Sequence, residues 1–322
     1  MFSPTGQHRG VRPVCLFLLL LFGVPWLARG WGMRGHEAMA RVAQGWLSNH
    51  VAARVSNILG TNDLASVALW ADHLRDAQRN RGPLRADPEA REFNRRFPGN
   101  DTWHFVNLPL GTTDYGAAGR FASTNDIVHA TQRCLAVLEG GSAEMSKRDA
   151  LRWLVHLVGD IHQPLHVGCG YYRLHDDGMI ELIREPGRAG GQPHDRGGNL
   201  LRYAGNQNLH GYWDVSIVDA INTTDEPLES TLRKVVQPQS WSTLGSVGRW
   251  PEAWAEDAVV QARGAYENIE LLRGELDGAG VVTNISVKLP ADYQSKQEAR
   301  ALDQLSKSAF HLAEVLNRLR WD

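Results

Sequence analysis

The stretch Leu154-Val155-His156-Leu157-Val158-Gly159-Asp160-Ile161-His162-Gln163-Pro164-Leu165-His166 decides how this chain is read. Up to Ile161 it is apolar at nearly every helical position, the mark of a helix buried on all sides. His156 and Asp160 stand four residues apart, so both project from one face. An imidazole and a carboxylate are costly in an apolar interior unless they are paired or bound to a metal. Pro164 predicts the end of the helix and leaves His166 on the loop beyond it. The same offset recurs at His210 and Asp214, in Asn208-Leu209-His210-Gly211-Tyr212-Trp213-Asp214. Two such pairs predict a metal site.

Around this block, apolar periodicity predicts helices over 35–47, 51–59, 64–77, 125–138 and 147–161, with Ser146 as the N-cap of the last. A shorter helix is predicted over 206–218, and two long ones over 251–272 and 295–319. Strand patterns are few. Segments 179–184 and 199–203 predict a hairpin, and 281–289 is a third strand. Segment 168–198 is rich in Gly, His and Asp and reads as a surface excursion. The fold class is mainly α: a single-domain, multi-helix bundle with a small β-hairpin. The chain has 322 residues, with no internal repeat or Gly/Ser linker to divide it.

The first thirty residues read as a signal peptide. Arg9 and Arg12 form its basic start, 14–21 its leucine-rich centre, and Ala28-Arg29-Gly30 its small-residue cleavage site. The apolar centre is too short for a membrane span of about 20 residues. Cleavage after Gly30 makes Trp31 the mature N-terminus and 31–322 the functional domain. No later segment is apolar enough to span a bilayer, so the product is expected to be secreted or lumenal. Sequons at Asn100, Asn222 and Asn284 fit that route and predict a glycoprotein. Cys15 leaves with the signal, which leaves Cys134 and Cys169 available for one disulfide. Removing Arg9, Arg12 and Arg29 lowers Lys plus Arg from 34 to 31 against 36 acidic residues, a formal charge of −5. That excludes nucleic-acid binding by bulk basic charge and requires any attraction for phosphate to be local.

Further ligand candidates sit where the chain has reason to bury them. They are His36 in Trp31-Gly32-Met33-Arg34-Gly35-His36, Asp72 in Trp70-Ala71-Asp72-His73, and His104 in Trp103-His104-Phe105. With His156, Asp160, His166, His210 and Asp214 they form a nitrogen and oxygen donor set without cysteine. Such a set suits catalytic zinc better than structural zinc. The residues alone lead to a polynuclear zinc hydrolase of unstated substrate.

Together these motifs, with Val-His-x-x-Gly-Asp-x-x-Gln-Pro-Leu-His, Gly197-Gly198-Asn199 and Leu-His-x-x-Trp-Asp, resemble the class I zinc-dependent nuclease family. Its members are secreted fungal, plant and protozoan single-strand nucleases and 3′-nucleotidases. The resemblance runs from Trp31 to the C-terminal helices and implies a fold of the phospholipase C/nuclease type. It implies three zinc ions. Asp72, His104, His156 and Asp160 hold the first, and His166, His210 and Asp214 the second. The third is held by His36, by Asp160 as a bridge, and by the free amine and carbonyl of Trp31. It also implies water attack on phosphorus at a strongly positive centre, with Asp72, Arg75 and Asp160 as catalytic residues. Arg75 steadies the phosphate. Phe105 stacks a nucleobase, which requires an unpaired base, and Asn107, Gly198 and Asn199 complete the base site. Substrates are single-stranded DNA, RNA and 3′-nucleotides, with 5′-phosphate products, and the protein is expected to be a monomer without a stable protein partner.

The chain departs from the family pattern in places. Asn107 stands where many members have Asp, and the stretch between His166 and Gly197 is long. The usual disulfide pattern is absent. His162, His175 and His194 are read as decoys rather than ligands, His162 because it turns away from the face of Asp160. Two other readings remain: a zinc phospholipase C on the same scaffold, and a zinc-binding protein without catalysis. The full ligand set weighs against the second. Phe105 and the Gly197-Gly198-Asn199 loop favour a nucleobase over a lipid.

Overall fold

The helix predicted over 147–161 forms with those bounds, as α6 below. Ser146 accepts the N–H of Asp149 at its start, and every residue from Ala150 to Ile161 is buried. The structure, a computed structural model, describes residues 30–321 apart from 176, 222–225, 236–238 and 280. The proposed signal peptide, except Gly30, lies outside the described residues, as does Asn222.

In chain order the first helices are α1 (Gly32–Gln44), α2 (Asn49–Leu59), α3 (Trp70–Gln78), α4 (Pro88–Arg96), α5 (Ile127–Leu138), α6 (Lys147–Ile161) and α7 (Pro164–Val167). Then follow α8 (Pro186–Ala189), α9 (Leu209–Gly211), α10 (Ile217–Ile221), α11 (Leu228–Lys234), α12 (Trp250–Ala265) and α13 (Tyr293–Arg318). Helix α6 packs against α1, α2, α3, α5, α12 and α13, so beyond its first turn it has no solvent face. The mainly α expectation holds.

Several boundaries differ from the periodicity, each for a local reason. The predicted 64–77 helix divides into a 3₁₀ turn at Leu64–Val67, capped by Asp63, and α3. Helix α5 begins only at Ile127, because the Asp126 carboxylate caps Val128 and His129. Helix α4 was not expected. It carries few apolar residues, and its signal lies in Asp87 as N-cap with Pro88 in the first turn. Pro164 does end α6, but it also starts α7, so His166 is helical rather than on a loop. The predicted 251–272 helix stops at Ala265, and Glu270–Leu276 becomes a strand because it pairs with Val282–Lys288.

The predicted hairpin is also corrected. Short strands β1 (Leu108–Pro109) and β2 (Gly168–Cys169) pair in parallel, and β3 (Tyr171–Leu174) pairs antiparallel with β4 (Ile180–Ile183). A third sheet holds β5 (Leu201–Ala204), β6 (Gln207–Asn208), β7 (Glu270–Leu276) and β8 (Val282–Lys288) in the order β6-β5-β8-β7. Thus 180–183 takes the nearer strand 171–174 as its partner, while 201–204 joins a different sheet. The 168–198 segment is not wholly a surface excursion either, since Gly168 to Tyr172 and Asp195 are buried.

The expected disulfide is absent: Cys134 and Cys169 are both free and buried. Cys134 packs in the main core on α5, whereas Cys169 belongs to a separate small cluster with Tyr171, Ile183 and Ala189. Asn100 is fully buried, and its side-chain N–H groups are donated to Asn94 and to the Phe97 carbonyl, which leaves no room for a glycan. Asn284 lies half-buried in β8.

Candidate metal centre

Helix α6 carries the centre of the site. The two Asp160 oxygens face different neighbours. Oδ2 lies 2.9 Å from His104 Nδ1 and 2.9 Å from His156 Nε2, while Oδ1 lies 3.1 Å from His36 Nε2. Asp72, on α3, adds a second carboxylate, its Oδ1 4.0 Å from His156 Nε2. The His36 and His156 rings stack with centroids 4.2 Å apart and 11° from parallel. One turn past α6, His166 Nε2 lies 3.7 Å from Asp214 Oδ1, and His210 Nε2 lies 3.4 Å from Asp214 Oδ2. Donor atoms gather in three groups: Asp72, His104 and His156; His166, His210 and Asp214; and His36, His156 and Asp160. All are buried.

Backbone carbonyls aim several of these rings. The Nδ1 atoms of His156, His166 and His210 each lie 2.7 Å from a carbonyl oxygen, of Ala68, His104 and Gly197 respectively. A proton held on Nδ1 leaves Nε2 as the free donor, the usual outer support of a metal-binding histidine. Gly197 can offer its carbonyl because it sits at φ +60°, where a Cβ would lie 2.0 Å from the Leu165 carbonyl oxygen. Asp214 sits in a widened turn, Tyr212–Ser216, and accepts a 2.7 Å hydrogen bond from the Gln163 side chain.

The donors fit divalent cations. Asp72 Oδ2, His166 Nε2 and His210 Nε2 are buried with no hydrogen-bond partner, a costly state for polar atoms unless an ion completes them. Burial opposes protonation of His166, yet the carboxylates of Asp160 and Asp214 outweigh it and hold the ring up at about 9. His104 is driven the other way, to about 3, by burial and then by the Arg75 guanidinium. Burial would raise Asp160, but His156 and His166 hold it well below the usual carboxylate range. Buried imidazole nitrogens and carboxylate oxygens gathered in this way are a donor set that zinc accepts.

Above these donors opens a cleft of about 1110 Å³, lined by Arg75, Phe105, Asn107, His166, Asn199 and His210 among others. Arg75 is buried against Asp72, with Nη2 donating to Oδ1 at 2.6 Å, and still lines the cleft. Phe105 is exposed rather than part of the core. Asn107 and Asn199 are half-buried, and the Asn199 amide donates to the Arg196 carbonyl. Gly198 is buried and does not line the cleft; its N–H goes to Asp195 Oδ1 at 2.9 Å.

The three histidines read as decoys do stay outside the donor groups. His162 turns its Nδ1 to the Val158 carbonyl and its Nε2 to His311. His175 is exposed, and His194 lies at the cleft against the Cys169 thiol. Trp31 is buried, and its carbonyl accepts the Gly35 N–H as the first bond of α1. Gly30, just before it, lies against the site: a Cβ there would be 2.0 Å from Asp160 Oδ1 and 2.5 Å from His36 Nε2.

Two supports escaped the sequence reading. Gln163 stands in the quoted block and in the family motif, but its role in orienting Asp214 is not visible there. Asp195 is fully buried and collects the hydroxyls of Tyr172 and Tyr266, the Cys169 thiol and the Gly198 N–H. It anchors the loop whose Gly197 carbonyl aims His210; beside His194 its sequence position suggests only a mimic of a metal ligand, not this support.

A helical bundle that converges histidines and aspartates beneath an arginine-lined cleft belongs to the class of metal-dependent hydrolases acting on anionic substrates. The sequence profile of the family described as S1/P1 Nuclease matches residues 31–320, and the chain belongs to that family. It is 25% identical to Endonuclease 2 of Arabidopsis thaliana over 99% of both chains. It is 31% identical to Nuclease S1 of Aspergillus oryzae, over 59% of this chain and 55% of that protein. With Nuclease P1 of Penicillium citrinum it shares 33% identity over 42% of this chain and 47% of that one. The chain thus spans the whole of the plant relative but about half the length of the two fungal ones. The family implies a nuclease, a hydrolase of nucleic acids. Among the described residues, no helix is long and apolar enough to cross a membrane.

Proposed function

We propose that the protein is a secreted, zinc-dependent endonuclease that hydrolyses single-stranded DNA and RNA to 5′-phosphate products and removes the phosphate of 3′-nucleotides. The observation that carries this reading is Asp160, fully buried with its two oxygens facing separate histidine sets, and 3.7 Å from His166, which lines an arginine-rich cleft. Asp72, His104, His156 and Asp160 would hold one zinc, and His166, His210 and Asp214 a second. His36, Asp160 and the amine and carbonyl of a freed Trp31 would hold a third. Bound zinc would supply Lewis acidity toward phosphate oxygens and acidify water.

The chain's own residues do the rest. Asp160 spans two donor groups and keeps them in register. Arg75, already ordered by its bond to Asp72, lines the cleft, so its positive charge would meet a phosphate without first having to be fixed in place. Phe105 presents a ring at the cleft for an unpaired base, which is the physical basis of single-strand preference. Asn107, Gly198 and Asn199 are the base-site residues, with Gly198 acting through the loop it shapes. Cleavage after Gly30 would free an amine beside His36 and Asp160, consistent with 1–30 as a signal peptide and 31–322 as one nuclease domain. That route makes the protein secreted or lumenal.

The test is to produce the chain beginning at Trp31, measure bound zinc, and assay single-stranded DNA, RNA, 3′-AMP and phosphatidylcholine. Close to three zinc ions with hydrolysis of the nucleic acids and 3′-AMP is expected. About one zinc per chain, or cleavage of the lipid alone, would overturn the proposal. The same domain preceded by one extra residue should lose one zinc and most activity.

A further inference from the structure

Helix α3 does more than supply a metal donor. Asp72, Arg75 and Arg79 follow one another at helical spacings of three and four, so they share one side of the helix. Asp72 belongs to a donor group, and Arg75 and Arg79 line the cleft. Arg79 ends the helix, and positive charge continues past it in Arg79-Asn80-Arg81-Gly82-Pro83-Leu84-Arg85. No acidic residue lies between Asp76 and Asp87. The Asp87 carboxylate is turned to its own helix, where it caps the Ala90 N–H.

This segment is tightly folded. The Asp76 carbonyl accepts the N–H of Arg79 at 3.0 Å and that of Arg81 at 2.9 Å. Asn80 and Gly82 adopt left-handed backbone, at φ +56° and +70°, which turns the chain back over the end of α3. Gly82 lies against Asp76, where a Cβ would stand 3.0 Å from the Asp76 Cβ, and Leu84 packs on the main core. The backbone is thus anchored, while the side chains of Arg79, Arg81 and Arg85 are exposed. They make no ion pair or side-chain hydrogen bond among the described residues. Other exposed arginines are neutralised: Arg34 by Asp219, Arg95 by Glu92 and Arg249 by Glu252. Three unpaired guanidinium groups within seven residues of an ordered turn repel one another, a cost that an extended polyanion offsets.

Resting on the nuclease reading above, we infer that Arg79, Arg81 and Arg85 form a basic track that holds the phosphates of a nucleic-acid strand as it leaves the cleft past Arg75. Contacts to phosphate position a strand and carry no base information. The track therefore adds affinity with strand length and adds no sequence preference. It makes the enzyme favour polynucleotides over mononucleotides, which end before they reach Arg81 and Arg85.

The experiment compares the mature protein with two double variants, Arg81→Gln/Arg85→Gln and Arg81→Lys/Arg85→Lys. It measures KM and kcat for a 3′-mononucleotide and for a long oligothymidylate at several salt concentrations, and melting temperature reports folding. Binding of a phosphorothioate oligothymidylate, which resists hydrolysis, is followed in parallel by fluorescence anisotropy. The glutamine variant should raise the long-substrate KM by about tenfold. It should also flatten the slope of log affinity against log salt by about 1.4, the value for two single-strand phosphate contacts. Mononucleotide kinetics should not change, and the lysine variant should restore the long substrate, since a point charge suffices for phosphate. An unchanged long-substrate KM and slope overturns the track, and so does an equal loss on the mononucleotide. Loss of binding to phosphatidylserine vesicles with an unchanged oligothymidylate slope would make the surface a membrane contact and overturn it too. If the unaltered protein hydrolyses neither substrate, the nuclease reading fails, while the anisotropy slope still decides the track.

Discussion

Asp160 is the residue on which the site turns. Its two oxygens serve donor groups built from four different helices or loops, and a neutral isostere would break both. Asp160→Asn should release more than one metal ion per chain and lower hydrolysis by more than about 100-fold, beyond the loss typical of an outer partner. Metal analysis together with steady-state rates would check it; retention of all metal would show that the carboxylate does not bridge. Gln163 plays a smaller part, orienting Asp214 through one 2.7 Å bond. Gln163→Leu keeps approximate volume but removes that donor, so metal at the His166, His210 and Asp214 group should be held about 10–100-fold more weakly. Competition with a chelator measures this directly.

At the scale of elements, α6 works because it packs closely to α1, and Gly159 permits that approach. A Cβ at Gly159 would lie 2.6 Å from His36 Nδ1 and 2.7 Å from its Cε1. Alanine is the better helix former by about 1 kcal/mol. Gly159→Ala therefore sets propensity against site geometry, and geometry should win. The expected variant folds, but loses the metal held by His36 and most of its activity. Circular dichroism with metal counting tests the pair of outcomes, and an unchanged metal count would refute the close-contact argument. The α9 turn depends likewise on Gly197. Gly197→Ala would force the loop off Leu165 and withdraw the carbonyl from His210, at a cost of roughly 1–3 kcal/mol in backbone strain alone.

For the whole molecule, two balances matter. Buried carboxylates at Asp72, Asp160 and Asp214 need cationic partners, so metal binding and folding are coupled. Ions present at about 100 times their dissociation constant contribute about 2.7 kcal/mol. Chelation should lower the melting temperature by at least about 5 °C, which calorimetry with and without chelator would show. The second balance is charge. The chain has 36 acidic against 34 basic residues, yet Arg75, Arg79, Arg196 and Arg202 line the cleft with Asp101 as the one acidic lining residue among the described residues. Attraction is thus local, and raising salt from 50 to 200 mM should raise oligonucleotide KM by about tenfold if two or three phosphates are held. A salt-independent KM would remove the arginines from binding.

What the sequence by itself determined is local. The buried helix with His156 and Asp160 on one face, the second pair at His210 and Asp214, and the donor chemistry all follow from side-chain spacing along one helix or turn. Spacing of that kind survives in any tertiary setting, so it was legible. His36 and Asp160 are 124 residues apart, and no periodicity states that they meet at 3.1 Å. Tertiary packing alone decided which Asp160 oxygen faces which histidines, and that Gly30 lies against them. It also chose the partners of β4 and β5, kept Cys134 and Cys169 in separate clusters, and brought Asp195 under the His210 loop. Those outcomes depend on which distant surfaces exclude water together, and that is set by the assembled core rather than by any single segment.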